Sequence, residues 1–276
     1  MPTTDRSARV TARSAPRSRR SRQLLPNQHG AWGFLVLPFV LAVCVAGWSP
    51  LLLPLGVAWI ASYPFSWAVA ALVSMPRPER YRDAAVLWGA VTVVAGAVVL
   101  AARPWLTWVL AAYAVGFAVN LRFARARSER AIANDLVLIV ECALLVPVVA
   151  GVTSDASGWT PPWSALTDPT VLAWTVVCAL TLVGSTLHVK SLIRERRNPR
   201  YTRASQWFAV ACVPVVVAVA LLLGVPWWSV AVPFVLLAAR ALWLHDPTLR
   251  PGRLGVIELG GLVAVVAGAV AARLTG

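Results

Sequence analysis

The groups able to do chemistry in this chain are few and stand at the edges of long apolar runs. Asn27, Gln28 and His29 precede the first run, in Pro26-Asn27-Gln28-His29-Gly30-Ala31-Trp32. A helix starting near Gly30 turns unpaired N–H groups and its positive dipole end toward them, a setting that suits a carboxylate or phosphate. A polar collar where hydrocarbon begins is the plainer reading. Asn134 and Asp135 open a later run, where capping and the helix dipole account for both. Glu141 lies two turns deeper, too deep to cap, and needs a proton, a cation or a wet cavity. Glu258 sits about a turn into the last run and is expected to snorkel to Arg253.

A second polar stretch runs from His188 to Tyr201. At helical pitch His188, Ser191 and Glu195 fall on one stripe, and Lys190, Arg194 and Arg197 on another about a third of a turn away. Basic residues ending a helix at a membrane surface would explain the second stripe equally well. Taken with Arg77 and Arg80, these residues predict a cationic pocket that attracts an anionic headgroup, phosphate or diphosphate. It would lie among the first, second, fifth and sixth helices, lined by His29, Asn134, His188 and Lys190. Asn27, Asp135, Glu141, Arg194 and Glu195 complete the candidate ligand-binding set.

The elements that must position these groups are membrane helices. Of 276 residues 59% are hydrophobic and only 13% charged, which excludes an ordinary soluble domain. Nine apolar segments can be marked, near 30–48, 50–74, 84–102, 104–121, 132–153, 169–192, 205–224, 226–244 and 254–273. Each is long enough for a helix to cross roughly 30 Å of hydrocarbon. Pro-containing turns at Gly47-Trp48-Ser49-Pro50, Arg103-Pro104 and Gly224-Val225-Pro226 divide adjoining segments. Cys44, Cys142, Cys178 and Cys212 fall inside apolar runs without paired spacing and read as core residues.

The arginines test the count. With the N-terminus inside, 23 of the 25 Lys and Arg residues fall on the cytoplasmic side, and only Arg103 and Arg273 do not. The positive-inside rule therefore predicts an all-α bundle of nine transmembrane helices with a cytoplasmic N-terminus. Residues 1–25, with seven arginines among Ser, Thr and Pro, read as a disordered basic tail, and residues 26–276 as the transmembrane domain. The net charge of +14 thus belongs to topology and anionic lipid, and nucleic acid is excluded as a partner. Trp48, Trp105, Trp159, Trp163, Trp227 and Trp228 map to the opposite side as interfacial anchors. Gly260, Ala264 and Gly268 form a small-residue ridge on the last helix. One lysine, Lys190, against 24 arginines suits a high-GC bacterial coding sequence, and hence a bacterial cell membrane.

The opening Pro26–Trp32 with Pro38, the stretch Arg130 to Leu136 and the stretch His188 to Tyr201 resemble the YwiC-like family of bacterial polytopic membrane proteins. The resemblance covers nearly the whole chain after the tail and carries no reaction with it. More distantly, the order of segments is similar to UbiA-type intramembrane prenyltransferases, which implies nine helices with active loops after the second and the sixth. Those enzymes hold Mg²⁺ there on aspartate-rich motifs, because clustered carboxylates bind a hard cation that offsets a diphosphate leaving group. Here the first loop offers Glu79 and Asp83 among three arginines, and the second has Lys190 and Arg194 where acids are expected. Metal-assisted prenyl transfer is disfavoured, and neither a metal nor a cofactor is expected. What remains is a membrane protein binding an anionic or isoprenoid-type lipid. A small-solute or anion transporter using Glu141, His188 and Lys190 and an accessory subunit of a membrane complex are the alternatives.

Overall fold

Backbone in hydrocarbon has no water to bond to, and a helix satisfies its polar groups within one segment. The computed structural model of the chain describes residues 24–26, 31–244, 246, 249 and 251–275. The described residues contain no strand and nine long helices: α1 (Ala31–Ala46), α2 (Leu52–Ser74), α3 (Arg82–Ala102), α4 (Leu106–Arg125), α5 (Ile132–Thr153), α6 (Pro169–Ile193), α7 (Pro199–Leu222), α8 (Trp227–Trp243) and α9 (Pro251–Thr275). A 3-10 turn, Pro78–Tyr81, leads into α3, and a four-residue helix, Trp163–Leu166, interrupts the longest connection. Seven of the nine, α2 to α7 and α9, are long and apolar enough to cross a membrane, while α1 and α8 are apolar but shorter, at 16 and 17 residues. The tail expected over 1–25 lies outside the described residues, apart from Leu24 and Leu25.

Helix ends follow local chemistry. Asp168 accepts from the backbone N–H groups of Thr170 and Val171 and starts α6 behind Pro169. Asn198 accepts from Arg200 N–H, and Pro199 takes the first helical position of α7. That cap starts α7 six residues before the expected 205. Two of the Pro-containing turns place glycine at positive φ, +91° at Gly47 and +71° at Gly224, where any other residue would be strained.

Successive helices alternate in direction. Trp32 meets Tyr63 and Phe39 lies against Gly56, so α1 and α2 are antiparallel. Trp59 meets Tyr113 and Phe65 stacks on Phe117, so α2 and α4 run parallel. Asp135 pairs with Lys190 across α5 and α6, Gln206 donates to the Ala241 carbonyl across α7 and α8, and Arg240 pairs with Glu258 across α8 and α9. The connections 75–81, 126–131 and 194–198 and the start of α9 thus share one end, and together with the helix ends that flank them they carry most of the arginines of the bundle.

The two stray arginines at the other end have a structural task. Arg103 donates to the carbonyls of Val152 and Ser154, at the C-terminus of α5. Arg273 donates to the Cys44 carbonyl, at the C-terminus of α1. Each meets carbonyl groups that a helix leaves unpaired.

The core gathers on α1, α5 and α6. Over half of the apolar stretch of α5 is buried (56%), against 6% for α4, which leaves α3 and α4 presenting most of their surface to lipid. Two expectations change here. Trp105 is completely buried against Gly151, unlike the other five tryptophans assigned to that end. The close approach on α9 uses Gly261 and Gly268 against α8, while Gly260 faces open space.

Candidate functional site

Three polar constellations lie inside the bundle. The first joins α5 to α6. Lys190, almost fully buried, forms an ion pair with Asp135 and donates to the Arg130 carbonyl at 3.0 Å. Asp135 stands in the first turn of α5, where the dipole also favours its charge. Asn134 is not the cap expected of it. Ala131 occupies the cap position, and the Asn134 amide instead donates to the Glu129 carbonyl at 3.0 Å, closing the loop onto the helix.

The second lies on the opposite face of α6. His188 and Lys190 are two residues apart, about 200° around the helix, so they serve different neighbours. His188 is buried, with Nε2 3.9 Å from Glu258 Oε1. Glu258 Oε2 accepts from Ser185 Oγ and pairs with Arg240 Nη1 at 2.7 Å. Glu258 therefore turns inward to Arg240 rather than snorkelling to Arg253. Gly261, one turn along α9, leaves room for the guanidinium: a Cβ there would lie 3.4 Å from Arg240 Nη1. His188 Nε2, Arg240 Nε and Glu258 Oε1 have no hydrogen-bond partner among the described residues.

The third lies between α4 and α5. Glu141, about 14 Å along α5 from its start, accepts from Asn120 Nδ2 at 3.1 Å through Oε2. Tyr113 donates its hydroxyl to the Glu141 main-chain carbonyl at 2.7 Å. A Cβ on Gly116 would overlap Glu141 Oε1 and lie 2.9 Å from Cδ, so only glycine leaves this seat for the carboxyl. Beside it opens a cavity of about 300 Å³ lined by Ala112, Tyr113, Gly116, Leu136, Val137, Val140, Glu141 and Leu144.

The remaining candidates spread over the arginine-rich end. Arg77, Arg80 and Arg194 are exposed. Glu195 accepts weakly from Asn198 Nδ2 at 3.4 Å. Because α6 ends at Ile193, Glu195 and Arg197 leave the helical frame that put them on stripes with His188 and Lys190. Asn27 and His29 lie outside the described residues. The structure brings Asp135 and Lys190 together, with Asn134 beside them. It separates Lys190 from His188, and both from Glu141. Among the described residues no three His, Cys, Asp or Glu side chains are grouped as metal ligands.

Sequence reasoning missed Arg240, Asn120, Tyr113 and Gly116. Arg240 was counted with the loops although it stands within an apolar helix. Tyr113, Gly116 and Asn120 recur at spacings of three and four, one face of α4, and that spacing was the available signal.

Comparison with known proteins places this arrangement. Residues 25–150 match the family model described as "YwiC-like protein". Over 239 residues the chain is 28% identical to a Bacillus subtilis protein called "Uncharacterized protein YwiC", covering 86% of this chain and 92% of that one. Over 238 residues it is 28% identical to an "Uncharacterized protein" of Haemophilus influenzae, covering 85% and 92%. No solved structure matches the chain. The segment matched by the family model contains Asp135 and the whole Glu141 seat, and ends before His188, Lys190, Arg240 and Glu258.

Proposed function

We propose that this chain, similar over most of its length to YwiC-like proteins, is a multi-pass protein of the bacterial cell membrane that binds an anionic or isoprenoid-type lipid at its arginine-rich end, without a metal. In this reading all nine helices span, and the N-terminus and the arginine-rich end face the cytoplasm. The observation that carries it is the charge at that end. Among the described residues thirteen arginines (Arg77, Arg80, Arg82, Arg122, Arg125, Arg127, Arg130, Arg194, Arg196, Arg197, Arg200, Arg203 and Arg253) are exposed there, against four exposed acids, Glu79, Asp83, Glu129 and Asp246. The one lysine is already paired, with Asp135. Planar guanidinium groups bind phosphate oxygens in pairs, and each basic group near an anionic surface contributes about 1 kcal/mol.

The test is lipid retention. The purified protein should carry anionic lipid by native mass spectrometry, and the triple variant Arg125→Gln/Arg127→Gln/Arg130→Gln should lose at least roughly tenfold of it. Equal retention of zwitterionic lipid, or no change in the triple variant, would refute the reading. A cysteine at Ser128 should label only from the cytoplasmic side, and labelling from outside would overturn the orientation.

A further inference from the structure

The Glu141 seat differs in chemistry from the arginine-rich end. Its cavity is walled by Ala112, Leu136, Val137, Val140 and Leu144. Leu136, Val140 and Leu144 lie on the exposed face of α5, so the opening faces the apolar surroundings rather than a loop. At about 300 Å³ it matches the small end of ligand pockets. The polar groups at its base are oriented to accept. An ionised carboxylate offers about four lone-pair sites, and of these the described residues fill one, with Asn120 Nδ2. Asn120 Oδ1 is buried without a hydrogen-bond partner among the described residues. The Tyr113 hydroxyl, which also lines the cavity, donates to a main-chain carbonyl instead.

We propose that the cavity between α4 and α5 binds an apolar molecule from the bilayer whose polar end donates hydrogen bonds, a hydroxyl or an ammonium group, to Glu141. Unfilled acceptors in an apolar setting need donors. An anionic head brings no donor, and an ether or ester leaves the remaining acceptors unpaired. Gly116 and Asn120 set the carboxyl in place without filling its remaining sites. The arginine-rich end takes no part, so this inference stands or falls separately from the lipid reading above.

The experiment uses the full chain in nanodiscs and a photoreactive alkanol carrying a diazirine on its chain. Cross-links should map to residues 112–116 and 136–144. Unlabelled alkanol and alkylamine of equal chain length should compete at least roughly tenfold better than the methyl ether or the carboxylate. Glu141→Gln keeps the shape, should weaken alkylamine competition roughly tenfold and should weaken the alkanol less. Val140→Trp narrows the cavity with Glu141 intact and should remove the cross-links while the protein stays monodisperse. Equal competition by all four head groups would make the cavity an acyl-chain groove and overturn the proposal. So would cross-links elsewhere, or a Glu141→Gln variant indistinguishable from the parent.

Discussion

Glu258 and Glu141 both carry a carboxyl inside this bundle, and their surroundings differ in almost every respect. Glu258 meets a guanidinium, a serine hydroxyl and, across 3.9 Å, an imidazole. Glu141 meets one amide and the wall of an apolar cavity. Glu258 joins α6, α8 and α9 through Ser185 and Arg240, so its charge is matched within the fold. Glu141 is held by its neighbours but not neutralised by them. A buried charge with its partner in place fixes helix register, whereas one that the fold leaves open calls for something from outside. The first half of α5 repeats the contrast, since Asp135 nearer the loop has Lys190, and Glu141 farther in has no cation beside it among the described residues.

The comparison breaks first, and hardest, at Arg240. Arg240→Ala leaves Glu258 buried without its cation, a loss of about 3–5 kcal/mol. We expect a clear fall in melting temperature and in monodisperse yield. The double variant Arg240→Met/Glu258→Leu removes both charges and should restore most of the loss, because well-packed apolar residues replace a buried pair at little or no cost. If Arg240→Ala melts with the parent, the cluster does not hold α8 against α9.

A smaller effect is expected at the first constellation. Lys190→Met strands Asp135, but that carboxylate keeps 23% of its side-chain surface exposed and stands in the first turn of α5. Water and the helix dipole offset part of the loss, leaving about 1–2 kcal/mol. The loop carbonyl of Arg130 also loses its donor, so faster proteolysis within 126–131 should accompany the change. A loss equal to that of Arg240→Ala would mean that Asp135 is as closed off as Glu258.

The helices were legible because their limits are written locally. Apolar runs of bilayer length end at Pro, Gly or Arg, and the markers Asp168, Pro169 and Gly224 stand where the chain turns. The gathering of arginines at one end was legible for the same reason, since alternation along a short-looped chain fixes which loops are neighbours. Contacts between distant segments were not. Arg240 and Glu258 look like two surface charges until α8 and α9 are laid side by side with Gly261 between them. Trp105 reads as an interfacial anchor until Gly151 provides the space that buries it. His188 and Lys190 were expected to line one pocket because both stand at the arginine-rich end, but the two stripes of α6 that carry them serve different neighbours.

The smallest effect belongs to Glu141, and it is the sharpest test of the contrast. Glu141→Leu breaks no ion pair, removes a desolvated carboxyl and leaves only the Asn120 amide short of a partner, a cost of about 1–2 kcal/mol. The added apolar side chain offsets much of that, so the single variant should melt within roughly 1 kcal/mol of the parent. Glu141→Leu/Asn120→Leu leaves no polar side chain stranded and should be at least as stable as the parent. A residue that stabilised the fold would not behave this way, whereas Arg240 or Glu258 would show the opposite. If Glu141→Leu instead unfolds the bundle as Arg240→Ala should, the acid is a structural member held by a partner among its neighbours, and the distinction between the two carboxylates disappears.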